Sequence, residues 1–201
     1  MRFRTRPLGL TLALLATVPL AGCVSFGAKP PPSLLTISSA ASIPAGQTQS
    51  SATAETIVIL VPAVSQGLAT TRVPVQTSPT DLAYIVNAQW VEPPARLFAR
   101  LLSDTVSAKT GRVVLGAQSM LDPGARLSGE LRAFGVEAGS LQAVVTYDAA
   151  LTRKGGDVVE KRRFEARVPV GAIDAAQSGA ALSQAANQVA QQVSDWVGTQ
   201  R

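Results

Sequence analysis

Three neighbouring stretches decide the fold: ARLSGELRAF (residues 125–134), LQAVVTYDAAL (141–151) and VVEKRRFEARV (158–168). In the first, Leu127, Gly129, Leu131 and Ala133 alternate with Arg126, Ser128, Glu130 and Arg132. In the second, Leu141, Ala143, Val145, Tyr147, Ala149 and Leu151 share one face. In the third, Lys161, Arg163, Glu165 and Arg167 alternate with Arg162, Phe164, Ala166 and Val168. A period of two is the signature of a strand, and an apolar face opposite a charged one means a sheet covered on one side. Lys154-Gly155-Gly156-Asp157 predicts a tight hairpin between the second and third strands, because glycine supplies the positive φ such turns need.

Working outward, the segments on either side supply the cover. Pro93-Pro94 opens a helix at the position where proline is tolerated. Leu97, Phe98, Leu101, Leu102, Thr105 and Val106 recur on it at helical spacing, and Gly111 is placed to end it. Residues 173–197 form a second helix whose apolar stripe is Leu182, Ala186, Val189, Val193 and Trp196. Upstream, Thr56 to Val61 is a β-branched run stopped by Pro62, read as a first strand. Residues 62–82 read as a long turn-rich loop. Ala83 to Val86 and Arg112 to Leu115 read as short strands. The expectation is an α+β domain: one antiparallel or mixed sheet of about 4–6 strands, with two α-helices packed on one face.

The N-terminus has a different character. Arg2, Arg4 and Arg6 precede an apolar run, Leu8 to Leu20, shorter than the roughly 20 residues a spanning helix needs. This reads as a signal peptide over residues 1–22. Leu20-Ala21-Gly22-Cys23 resembles a lipobox, with Cys23 the acceptor of the lipid. Cys23 is the single cysteine of the chain, so no disulfide is available to the fold. Two or more acyl chains anchor a protein stably. Val24 follows the cysteine, where aspartate would favour inner-membrane retention, so the expected location is the periplasmic face of the outer membrane. Lys29-Pro30-Pro31-Pro32 reads as a semi-extended spacer. Residues 38–53 are small and polar, and residues 23–54 together read as a flexible tether, with Leu34-Leu35 touching the domain. The folded domain is expected over residues 55–201.

Composition narrows the function. The chain has 18 basic and 13 acidic residues and no histidine. Three of the basic residues leave with the signal peptide, and the near-balance that remains is no nucleic-acid signature. Histidine is the commonest general base and a common metal ligand. Without it, without a free thiol and with singly scattered carboxylates, the sequence points away from catalysis, metal or cofactor. Lys109-Thr110-Gly111 matches one motif of β-lactam-binding serine enzymes, but its Ser-x-x-Lys partner is missing and a helix end is the plainer reading. Tyr84 and Trp90 flank the proline-led helix. They are candidate contact residues, since aromatics are enriched at interfaces; the alternative is that Trp90 plugs the helix entry against the core.

The stretch Trp90-Val91-Glu92-Pro93-Pro94-Ala95-Arg96-Leu97 resembles the ABC-type transport auxiliary lipoproteins. Arg126 to Leu131 with Phe134, Arg163 to Val170, and the alanine-rich last helix ending in Asp195-Trp196 agree with it. The resemblance implies a non-catalytic auxiliary component of an ABC transport system that moves lipid or another hydrophobic solute between the inner and outer membranes. It implies an MCE-domain substrate-binding protein as partner. A structural or outer-membrane assembly lipoprotein not tied to an ABC transporter, and a cryptic periplasmic enzyme, are the competing readings. For docking, an exposed edge strand is the expected device, with Thr56 to Val61 and the Tyr84 segment as the two candidates.

Overall fold

The computed structural model describes residues 33–155 and 158–200. The chain runs β1 (Thr56–Ile59), β2 (Ala63–Val64), a 3₁₀ turn (Gln66–Leu68), β3 (Arg72–Gln76), β4 (Leu82–Gln89), α1 (Pro94–Thr110), β5 (Val113–Leu115), β6 (Ala125–Glu137), β7 (Gln142–Arg153), β8 (Val159–Pro169) and α2 (Ala175–Thr199). The class is α+β, but the mixed sheet has eight strands rather than 4–6. The additional ones, β2 and β3, lie in the stretch expected to be loop.

β6 is the spine. One flank pairs antiparallel with β7 along its whole length, and β7 pairs antiparallel with β8. The opposite flank is met in succession by three short strands, all parallel to β6: β1 at Ala125–Leu127, β2 at Glu130–Leu131 and β3 at Val136–Glu137. β5 adds parallel to β1, and β4 adds antiparallel to β3. β1 is therefore an interior strand, flanked on both sides, and Thr56 to Val61 is no docking edge. Among the described residues β4, β5, β8 and the two-residue β2 each have a single partner strand, so the free edges lie there.

The alternation expected for β6 breaks at a bulge. Leu131 faces Tyr147, but Ala133 faces Thr146, so Arg132 is the extra residue. One inserted residue reverses the parity of everything after it. The inward residues are consequently Leu127 and Leu131 before the bulge, then Phe134 and Val136. Ala133 leaves the core face that strict alternation gave it. Two glycines let other chains approach this spine. A Cβ at Gly129 would lie 2.1 Å from the Asp148 carbonyl oxygen and 2.8 Å from the Tyr147 ring. A Cβ at Gly135 would lie 2.6 Å from the Pro74 carbonyl oxygen.

The helices cover the inner face as their stripes require. Phe98 of α1 meets Tyr147 edge-on at 5.2 Å, and Trp196 of α2 packs on Phe164 at 5.6 Å. Tyr147 and Phe164 are themselves cross-strand partners. α1 ends where Gly111 takes the left-handed conformation (φ 71°), which is why Lys109-Thr110-Gly111 is a helix stop. α2 starts on Asp174, whose side chain accepts from the Gln177 N–H at 2.8 Å. A Cβ built on Gly198 would lie 3.5 Å from the Thr110 methyl group, and Lys109 pairs with Asp195 at 2.7 Å, so both helices end at the same end of the domain.

Residues 33–54 are not the free tether that their composition suggests. Leu35, Ile37, Ser39, Ala41 and Ile43 are half-buried and alternate with exposed neighbours. Leu35 bridges Trp90 in parallel, with its N–H on the Gln89 carbonyl at 2.7 Å and its carbonyl accepting from Val91 N–H at 2.9 Å. Asn187 of α2 holds the Ala40 N–H and the Ser38 carbonyl, and Ser107 of α1 donates to Gln49. This strap makes the folded unit reach back to Leu35 instead of starting near Glu55.

Candidate interaction surface

β4 is held to β3 by an uneven register. Arg72 faces Gln89, while Pro74 already faces Tyr84, so β4 carries more residues than β3 between those pairs. The surplus bulges outward. Asn87 absorbs the turn with φ 58°, a left-handed conformation that asparagine tolerates better than most residues. Val86 beside it is 80% exposed. Bulges of this kind re-aim side chains at sheet edges.

Tyr84 lies half-buried on the face turned away from the helices. Its hydroxyl donates to the Gly67 carbonyl at 3.3 Å, which ties β4 to the 3₁₀ turn. The Arg72 guanidinium lies 3.8 Å from the centroid of the same ring, a cation–π geometry. Beside this pair, Leu68, Leu82, Pro74 and Val144 line a cavity of about 190 Å³ over the 133–137 segment of β6, with Arg132, Gln76 and Glu137 at its polar margin. Here the sheet's outer face is roofed by the turn, and Val144 is buried on it.

The rest of that face is a lattice of ion pairs across β6, β7 and β8. Arg163 grips both carboxylate oxygens of Asp148, at 2.5 and 2.7 Å. Arg167 reaches Glu137 at 2.7 Å and Glu165 at 2.8 Å. Thr146 donates to Glu165. Hydrogen bonds from these arginines are the main reason the carboxyls of Asp148, Glu137 and Glu165 titrate below their ordinary range. On the inner side burial pushes the Tyr147 phenol up; its hydroxyl donates to the Ser128 carbonyl at 2.8 Å. Asp104 on α1 is raised, chiefly by burial, against the lowering effect of Arg100.

Trp90 belongs to the core, not to a contact surface. It is 1% exposed, meets Phe134 edge-on at 5.6 Å, and its Nε1 is buried with no acceptor among the described residues. Its position explains why. It follows the last residue of β4, where the sheet closes over the first turn of α1, and any side chain there points inward. Cys23 and the lipobox lie outside the described residues. Arg72, Leu68 and Leu82 went unnoticed in the sequence because they sit in a stretch whose glycine and prolines read as loop.

A family profile described as ABC-type transport auxiliary lipoprotein component matches residues 36–194. The chain belongs to that family. Among solved structures, this auxiliary lipoprotein domain superposes on protein XCC0632 from Xanthomonas campestris, of the DUF330 family. The TM-score is 0.67 at 21% identity, over 83% of this chain and 95% of that one. A second, described only as an uncharacterized protein, gives a TM-score of 0.61 at 18% identity, over 72% of this chain and 93% of that one. At these identities the likeness shows a shared fold. A search of curated proteins gives no match. The family is one of auxiliary components of transport. No described helix is long and apolar enough to cross a membrane.

Proposed function

We propose that this chain is a non-catalytic, lipid-anchored auxiliary subunit of an ABC-type system that moves lipid or another hydrophobic solute between the inner and outer membranes. Its partner in this reading is the MCE-domain substrate-binding protein of that system. The observation that carries the proposal is the family match over residues 36–194. The signal-peptide pattern ending at Cys23 supports the anchor, and Val24 supports the outer membrane as its site. In this reading the tether is the chain between Cys23 and the Leu35 bridge. The folded domain contributes surfaces: the β3–β4 rim with Tyr84, and the charged outer face of β6–β8.

Two measurements on the full-length protein test this. Cys23→Ser should leave an uncleaved precursor or a form released from membranes by salt; a variant that stays with the outer membrane after the wash refutes the anchor. Affinity purification of the lipidated protein from its own membranes should bring down an MCE-domain protein. Recovery of an outer-membrane assembly machine in its place would replace the transport role with an assembly one.

A further inference from the structure

The β4 rim combines three features. The first is an edge already shown to accept main chain. Leu35 occupies the end of β4, using the Gln89 carbonyl and the Val91 N–H. The bridge is parallel, so the chain preceding Leu35, if it went on pairing, would run back along β4. It meets Pro30, Pro31 and Pro32, which have no N–H to donate to a ladder. Among the described residues, β3 is the one strand that pairs with β4 over Leu82 to Asn87. β8, by contrast, is defended. Lys161, Arg163 and Arg167 line it, and the Gln192 amide of α2 reaches its outward carbonyl at Glu165.

The second feature is a cation without a carboxylate. Arg72 is exposed and stacked on Tyr84. Among the described residues no acidic side chain lies within salt-bridge distance of it, although Arg100, Arg112, Arg132, Arg153, Arg163 and Arg167 each have one. Stacking fixes the guanidinium plane and leaves its N–H fork for an incoming anion. The third feature is the cavity beside it, about 190 Å³ and lined by Leu68, Leu82, Pro74 and Val144 among others, of a size for one or two aliphatic side chains.

From these we infer that the β3–β4 rim binds an extended segment of a partner protein. The segment adds to the β4 edge, places an acidic side chain on Arg72 and seats an apolar one in the cavity under Leu82. The charge on Arg72 decides the chemistry of the occupant. Main-chain pairing supplies affinity, and the alternate side chains supply selectivity. The inference rests on the auxiliary-subunit reading only for the existence of a protein partner.

A photo-crosslinking amino acid is placed singly at Ala83, at Val86, at Lys161 on β8 and at Gln191 on α2 of the full-length lipoprotein, in cells expressing the cognate transport genes. Adducts are mapped by mass spectrometry. The expected result is adducts at Ala83 and Val86 that map to one acidic, strand-forming segment of a partner. Arg72→Glu should lower their yield about tenfold with an unchanged melting temperature, and Arg72→Lys should retain part of it. Adducts at Ala83 and Val86 to lipid, to a second copy of this chain or to a segment without acidic residues overturn the proposal. So does a yield indifferent to Arg72→Glu. Adducts confined to Lys161 or Gln191 overturn it while leaving the auxiliary role intact. No protein adduct at any position overturns both.

Discussion

Gly129 and Gly135 are the residues on β6 with no room for a side chain. At Gly129 a methyl group would sit 2.1 Å from a carbonyl oxygen of β7, well inside van der Waals contact, and backbone cannot swing aside as a side chain can. Gly129→Ala is expected to destabilise by about 3 kcal/mol or more, at or beyond the upper end for overpacking. Trp90→Ala is expected to cost about 3–5 kcal/mol, as for other buried large-to-small changes. Denaturant melts monitored by circular dichroism check both. A Trp90→Ala change near zero would mean that the indole is not part of the core. The two residues make a useful contrast with Tyr84. All three stand in or near strands, but only Tyr84 points to the open face, and only its neighbours Arg72 and Leu82 are reachable by another protein.

At the level of elements, the strap is the most exposed to test. Leu35 fills the space over Gly179, where a Cβ would come within 2.8 Å of a Leu35 methyl. Leu35→Asp should undo this contact and free residues 33–54 from the helices. Limited proteolysis is expected to cut within that stretch much faster than in the parent protein, while the melting temperature of the rest moves little. Equal cutting rates would show that Asn187 and Ser107 hold the strap without Leu35. Much of the elements' layout could be read directly. The periodicity of Leu97 to Val106, the stripe from Leu182 to Trp196 and the alternation of β7 and β8 all reappear as buried faces, because each element has its apolar residues in register with its own geometry. The failures have local causes. β3 was hidden by Pro74, which sits where the β3–β4 register shifts and the chain passes over Gly135. The parity of β6 was lost at Arg132, since a bulge leaves no compositional mark. The strap was hidden because half of its inward residues are serine, alanine or glutamine, held largely by hydrogen bonds that depend on Asn187 and Ser107 far along the chain. The rim at Arg72 could not be seen for a related reason: a stacked guanidinium is a tertiary arrangement, and nothing in the order of residues between 62 and 82 announces it.

For the molecule as a whole, acid should act through the outer face. Asp148, Glu137 and Glu165 titrate below their usual range when folded, because arginines hold them ionised. A depressed folded pKa adds stability above the unfolded value, and that contribution disappears as pH falls through the folded one. The melting temperature is expected to hold between neutrality and about pH 5, then to fall below about pH 4, where free carboxyls begin to protonate. Asp104, which is raised, works in the opposite sense and softens the decline. These pairs are largely exposed, so the effect is modest and salt should reduce it. A melting temperature that rises on acidification would show that the lattice is not stabilising.

The parallel additions to β6 also set an order of events as the chain folds from its N-terminus. β7 and β8 complete themselves by hairpins soon after β6 emerges. Ile57-Val58-Ile59 is made early, yet its partners are Val113 to Leu115 and Ala125 to Leu127. Until Val113 to Leu115 have emerged, this β-branched apolar strand has no partner strand to pair with. Closing so long a loop is slow compared with making a hairpin, and an unpaired β-branched strand is prone to wrong pairing in the interval. A chain built this way cannot complete both flanks of its first strand until Ala125 to Leu127 have joined it.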